Sequence, residues 1–288
     1  MAPMRLTDLL QVLTVVLIWG LNFAAVKLTV AALPPFALTA LRFGGVALLL
    51  SPYLRFGRGD LRALLQLALV LGVGHFGLLF LGLKGADAAT TALLIQLGVP
   101  FSSILAAIFF ADRLGWRRGV GMAFAFAGGA LLAGEPGGGT PLAMTALLVS
   151  AFCWAGSNII IKRISHIPPL SIIAWMSLLS VMPITLLSLL LEEGQWQAVT
   201  TAEAHVWGLF AYTLIGSSIV AYALWFRLLG RLSLNQVVPY TLLAPMLGVA
   251  SGVLLLDEAF TLYKAVGGAM TLAGVAFIQW RQLRLRGA

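Results

Sequence analysis

The chain has 288 residues, 60% of them hydrophobic and 10% charged, with a mean hydropathy of +1.00. A soluble globule of this length must present a polar exterior, so the composition excludes one. The formal net charge of +8 would suit a nucleic-acid binder only if it were gathered on one surface, and its spacing along the chain points elsewhere.

Apolar windows follow one another at about 9–31, 36–54, 61–83, 88–110, 116–134, 142–164, 169–191, 205–227, 234–256 and 261–283. Each is near the ~20 residues that cross a ~30 Å hydrocarbon core as a helix. The predicted class is all-α: a polytopic membrane protein of ten transmembrane helices, one transporter-like domain over 1–288. Alternation in ~10-residue units, the mark of a membrane barrel, is not seen. The first window is too long for a signal-peptide core and has nine successors, so it is read as retained. Cys153 is the single cysteine, which excludes an intrachain disulfide.

With ten spans, even-numbered loops share a side with both termini. On that side fall Arg5, Arg55, Arg58, Arg62, Arg113, Arg117, Arg118, Lys162, Arg163, Arg227, Arg231, Arg281, Arg284 and Arg286. Lys27, Lys84 and Lys264 lie toward the other side, and Arg42 is inside span two. The positive-inside rule then puts both termini in the cytoplasm. Asp87, Glu135, Glu192, Glu193, Glu203, Asp257 and Glu258 fall opposite. The basic balance reads as topology, with the lipid bilayer as partner and neither nucleic acid nor a soluble protein implied.

A stretch in span one, Trp19 to Lys27, returns in span six as Trp154 to Lys162 at an offset of 135. Asn22 and Asn158 lie between, slipped by one place. Pro34-Pro35 and Pro168-Pro169 close the two spans. Pro100 and Asp112 match Pro245 and Asp257 at an offset of 145, and Gly121 and Gly128 match Gly267 and Gly274 at 146. The longer loop at 192–204 absorbs the drift. The chain thus reads as two five-helix repeats, 9–134 and 142–283. Five is odd, so the second copy enters inverted, an architecture in which transporters place substrate at the repeat interface.

An inverted ten-helix repeat with Trp19-Gly20-x-Asn22, Arg42-Phe43, Leu83-Lys84-Gly85-Ala86, Pro100 and Gly-rich spans five and ten resembles the EamA family of the drug/metabolite transporter superfamily. The resemblance runs over essentially the whole chain and is similar in character to that family's bacterial aromatic amino-acid exporters of the YddG type. It implies export of amino acids across a bacterial inner membrane, through a central cavity lined largely by spans one, three, four, six, eight and nine.

Polar groups at membrane depth are costly and tend to face a cavity or a partner helix. Asn22, His75, Gln96, Ser157, Asn158, Ser217 and Ser218 lie at such depth, with the aromatics Trp19, Phe80, Trp154, Tyr222, Trp225 and Tyr240. Helical spacing places Trp19 with Asn22, and Trp154 with Ser157 and Asn158, on shared faces. The expected substrate surface is Trp19, Asn22, His75, Phe80, Gln96, Trp154, Ser157, Asn158, Tyr222 and Tyr240: amides can meet carboxylate and ammonium, and indole faces can hold a cation or stack on a ring. The competing reading is interhelical bonding by the amides and packing by the rings. His75 could be proton-sensitive or carboxylate-binding, or simply a neutral imidazole bonded to a neighbouring helix. Arg42 is expected to snorkel or satisfy carbonyls at a helix end, with substrate contact the lesser alternative. Lys27, Lys84 and Lys162 read as interfacial anchors.

Pro100, Pro239 and Pro245 should bend spans four and nine and serve as hinges. Gly248-x-x-x-Gly252 and the ladder Gly121, Ala125, Gly129 are packing devices. All ten acidic residues lie in loops or at span ends, so facilitated diffusion is expected. No phosphate-cradling Gly-x4-Gly-Lys-Ser/Thr loop occurs, and His75, His166 and His205 are scattered, so neither cofactor nor metal is implied. Two alternatives stand beside amino-acid export. An organophosphate or nucleotide-sugar exchanger would need several cavity cations, and a membrane-embedded enzyme would need acid, base and nucleophile at one depth.

Overall fold

A computed structural model describes residues 4–54, 60–110, 115–232 and 234–287. Arg55, Arg58, Asp112 and Arg113, used above for sidedness and repeat matching, lie outside the described residues.

The helices are α1 (Leu6–Ala32), α2 (Pro35–Leu49), α3 (Leu61–Gly85), α4 (Ala88–Phe109), α5 (Trp116–Ala133), α6 (Pro141–Arg163), α7 (Pro169–Leu191), α8 (Ala204–Leu229), α9 (Pro239–Leu255) and α10 (Leu262–Trp280). Among the described residues, seven helices are long and apolar enough to cross a membrane, α2 and α9 are shorter apolar helices, and α5 carries Arg117 and Arg118 in its first turn. This is a multi-pass membrane protein. Leucines such as Leu48, Leu190 and Leu254 stay largely exposed, as lipid-facing positions do.

Prolines and polar caps set the helix starts. Pro35, Pro141 and Pro169 sit where an N–H would have no helical partner. The Thr140 hydroxyl accepts from the Ala143 amide at 3.2 Å. The second window, 36–54, is corrected at its end. Helix α2 stops at Leu49 and a 3-10 turn, Ser51–Tyr53, follows, because Pro52 supplies no amide to prolong the ladder. The ninth window opens with Leu234–Val237 and a 3-10 stretch, Val238–Leu242, before regular helix resumes. Pro183, by contrast, lies inside α7, and the helix continues through it.

Helix α2 packs on α7, α5 on α10, α1 on α9 and α8, and α6 on α4 and α3. Exchanging α1–α5 for α6–α10 carries α2–α7 and α5–α10 onto themselves, α1–α9 onto α6–α4 and α1–α8 onto α6–α3. The α5–α10 crossing depends on four glycines. A Cβ on Gly128 would stand 2.5 Å from the Gly267 carbonyl oxygen, and one on Gly267 would stand 2.9 Å from that of Gly128. Gly274 and Gly121 oppose each other in the same way, at 2.5 and 3.1 Å. Lipid tails are as apolar as leucine, so close backbone packing, rather than water exclusion, is what such a crossing gains. Beside it lies a groove of about 230 Å³ lined by Val120, Phe124, Ala273 and Phe277 with Gly121 and Gly274.

One end of the bundle is tied across helices. The Glu258 carboxylate accepts from the first amides of α4, Ala88 at 2.6 Å and Ala89 at 2.9 Å. Glu192 does the same at the start of α2, to Phe36 at 2.8 Å and Ala37 at 3.0 Å. Both use the positive end of a helix dipole. Lys264 pairs with Asp87, and Lys27 donates to the carbonyls of Leu83 and Ala86 at the end of α3. At the opposite end Arg231 pairs with the fully buried Asp8 at 3.0 Å.

Candidate functional site

Two wide helical stretches prepare the site. Ala68–Gly77 in α3 and Tyr212–Val220 in α8 are π-helical, so their carbonyls are offset from the usual ladder and can be taken by side chains. In α3 the Ser180 hydroxyl lies 3.2 Å from the Ala68 carbonyl. In α8 the Ser218 hydroxyl donates five residues back to Thr213 at 2.9 Å, and the Trp19 indole N–H reaches the Ser217 carbonyl at 3.4 Å.

Around Trp19 the rings gather. Tyr222 stands edge-on at 5.3 Å between centroids, and Trp225 lies at 5.6 Å. The Tyr212 hydroxyl donates to the Ile18 carbonyl at 2.7 Å, which pins this turn of α1 against α8. One turn further along α1, Asn22 is half-buried, and its side-chain oxygen has no hydrogen-bond partner among the described residues.

Arg42 departs from its expected place. It neither snorkels nor caps a helix end: it is 3% exposed and donates from Nε to the Ser218 hydroxyl at 2.9 Å. Its guanidinium carbon lies 4.8 Å from the Phe76 ring centre, 5.4 Å from that of Phe80 and 6.0 Å from that of Phe43, within cation–π range. Phe80, expected to line the cavity, is a 1%-exposed ring beneath this cation. His75 is clamped to α6. The Ser150 hydroxyl donates to the His75 carbonyl at 2.8 Å, and Nδ1 lies 3.2 Å from the Ser150 carbonyl, which fits a proton on Nδ1. Its ring also meets Phe76 edge-on at 4.6 Å.

The second half of the expected surface is arranged differently. Trp154 packs over Gly98, where a Cβ would be 2.6 Å from the indole. Ser157 is buried and donates to the Trp154 carbonyl at 2.7 Å, while the Asn158 amide donates to Ser102 at 3.3 Å. Gln96 is half-buried on the 3-10 turn Ile95–Leu97 of α4. Tyr240 packs with Trp225 and Met4 around Val12 and Leu228, and its hydroxyl lies 3.9 Å from the Met4 sulfur. Pro100 and Pro245 each follow a 3-10 turn by three residues, and both are buried, whereas Pro239 is exposed. The structure thus gathers Trp19 and Tyr222 with Arg42, Ser217, Ser218 and Phe80. His75 and Asn22 stand at the border, Trp154 and Asn158 form a separate contact between α6 and α4, and Ser157 bonds within α6.

Tyr212, Ser150 and Ser102 were not anticipated. Nothing in their spacing distinguishes them from the other small polar residues of these spans. Among the described residues, no group of three or more His, Cys, Asp or Glu lies together as metal ligands would.

Residues 6–134 and 141–280 each match the EamA-like transporter family. The chain is 33% identical over 273 residues to a probable amino-acid metabolite efflux pump of Salmonella typhimurium, covering 91% of both chains. It is 31% identical to a protein of the same description from Escherichia coli, covering 94% of this chain and 95% of that one. A solved crystal structure 22% identical in sequence superposes with a TM-score of 0.66 over 98% of this chain and 99% of its own.

Proposed function

The chain belongs to the EamA-like transporter family, and on that premise we propose that it is a bacterial inner-membrane secondary transporter exporting neutral amino acids, aromatic ones included. Transport proceeds by alternating access between two inverted five-helix halves, with ten membrane passes and both termini in the cytoplasm. Three observations support that architecture: one family match over each half, helix pairings that survive exchange of the halves, and reciprocal glycine contacts between α5 and α10.

The observation that carries the substrate reading is the Trp19 cluster. An indole, a phenol and a second indole meet between helices of different halves, and one turn along α1 from Trp19 lies an amide oxygen with no partner among the described residues. Such a surface suits a small amphiphile with a ring or branched chain at one end and a zwitterion at the other. In this conformation the Lys27 end is closed by Glu258, Glu192 and the Lys264–Asp87 pair. Opening there breaks those contacts, with the turns before Pro100 and Pro245 as hinges. Among the described residues the buried acids Asp8 and Glu135 lie at helix ends, so transport is facilitated diffusion.

A phosphate exchanger fits less well. Lys27 and Lys264 are already engaged by carbonyls and Asp87, leaving Arg42 as the one cation described at the cluster. The family and the relatives' names point to transport rather than catalysis. Purified protein in vesicles, offered labelled amino acids, phosphorylated sugars and drug cations, is the test. Aromatic and branched amino acids should equilibrate without concentrating. Accumulation driven by an imposed proton gradient would sink the uniport mechanism, and preference for phosphorylated sugars would sink the substrate class.

A further inference from the structure

Arg42 is buried without a counter-charge among the described residues. Among the described residues no carboxylate lies within ion-pair distance, its one hydrogen bond is to a neutral hydroxyl, and Nη1 is buried with no partner. Leaving a guanidinium unpaired away from water is costly, and three phenylalanine faces offset only part of that cost. The Ser218 bond fixes Nε, and through the planar fork it fixes where the remaining donors point. A guanidinium held by one edge has its other donors free for a carboxylate, the partner its geometry fits best.

A second unmet group complements it. Asn22 Oδ1 is a buried acceptor without a donor, and Arg42 Nη1 is a buried donor without an acceptor. Both lie near one pair of α8 residues: Arg42 bonds Ser218, and Trp19, one turn from Asn22, reaches the Ser217 carbonyl. An α-amino acid carries an acceptor and a donor on adjacent carbons, and its side chain could then lie on Trp19 and Tyr222.

We propose that Arg42 is the carboxylate anchor of the transport site, so that the free α-carboxylate is the part of the substrate the protein requires. This rests on the amino-acid reading above and is tested separately from it. Detergent-purified protein is melted with phenylacetate and with the isosteric phenylacetamide. Phenylacetate should raise the unfolding temperature and phenylacetamide should not. Arg42→Gln should lose the difference, and Arg42→Lys should keep a reduced one, since it retains charge without the fork. In vesicles, phenylalanine should be moved faster than phenylalaninamide by roughly 10- to 100-fold, the scale of a charge-assisted hydrogen bond. Arg42→Gln should collapse that ratio.

Equal stabilisation by acid and amide in the wild type overturns the anchor, as does an unchanged transport ratio in a folded Arg42→Gln protein. If Arg42→Gln does not fold, the wild-type pair of ligands and the Arg42→Lys protein still decide it. A wild type that moves no amino acid, yet is stabilised by phenylacetate alone, refutes the transport reading and leaves the anchor standing.

Discussion

The stretches Trp19–Lys27 and Trp154–Lys162 are echoes in sequence and differ in what surrounds them. Trp154 lies over Gly98 on α4, and Asn158 spends its amide on Ser102. Trp19 instead turns to α8, where it meets Tyr222, Trp225 and the Ser217 carbonyl, and Asn22 keeps an oxygen unmatched. The opposing residue explains part of this. At the 145-residue offset of the matched prolines, the counterpart of Gly98 is Leu243. Gly98 leaves a notch for the Trp154 indole, whereas the matching position of the other half carries a branched side chain. One copy of the motif therefore has its amide and indole engaged by α4, while the other keeps an amide oxygen with no partner among the described residues, the atom that the proposed site uses.

Filling the notch is the strongest way to break the comparison. Gly98→Leu puts a branched side chain where a Cβ alone would be 2.6 Å from Trp154 and 3.2 Å from the Ala151 carbonyl. Backbone cannot give way as a side chain can, so the cost should be about 1–3 kcal/mol, read as a lower unfolding temperature. If the variant melts like the wild type, Trp154 has no need of the notch and the explanation fails.

The two amides should separate next. Asn22→Ala removes an oxygen with no protein partner, so folding stability should hold or rise slightly. Transport should fall about tenfold, equivalent to ~1.4 kcal/mol, through loss of the substrate's ammonium contact. Asn158→Ala should do the reverse. It strips a bond to Ser102 at a cost of about 1 kcal/mol in stability and leaves transport nearer normal. Transport assays and melts on both proteins give four numbers, and a crossed pattern is the expected result. Equal transport losses would mean that both copies face the substrate.

How much of this was legible depended on which residues were asked about. Apolar windows need no partner to be seen, so the helices follow the sequence closely, failing where Pro52 and Pro239 interrupt the ladder. The matched glycines were legible too, because only glycine allows two backbones to meet as Gly128 and Gly267 do. Arg42 was not. An arginine two turns inside a span can reach outward or stay buried, and the choice is made by Phe76 and Phe80 on α3 and Ser218 on α8, all distant in sequence. Phe80 was legible by depth alone, and its place against the Arg42 guanidinium was not, because that contact is tertiary. The Ser150 partner of His75 lies on another helix and left no mark in the local sequence.

The finest test concerns the indoles themselves. Trp19→Phe keeps a ring against Tyr222 and Trp225 and loses only the N–H contact to Ser217. At 3.4 Å that bond is long for an N–H donor, so its removal should cost about 0.5 kcal/mol or less. Among the described residues the Trp154 indole has no comparable bond to lose; it packs over Gly98, and Trp154→Phe opens space there. Stability should therefore fall more in Trp154→Phe than in Trp19→Phe, while substrate preference among aromatic amino acids should change only in Trp19→Phe. Melting curves and a competition assay with tryptophan and phenylalanine would show it. A shift in preference from the Trp154 variant would return that residue to the substrate surface and restore the symmetry that the sequence alone suggests.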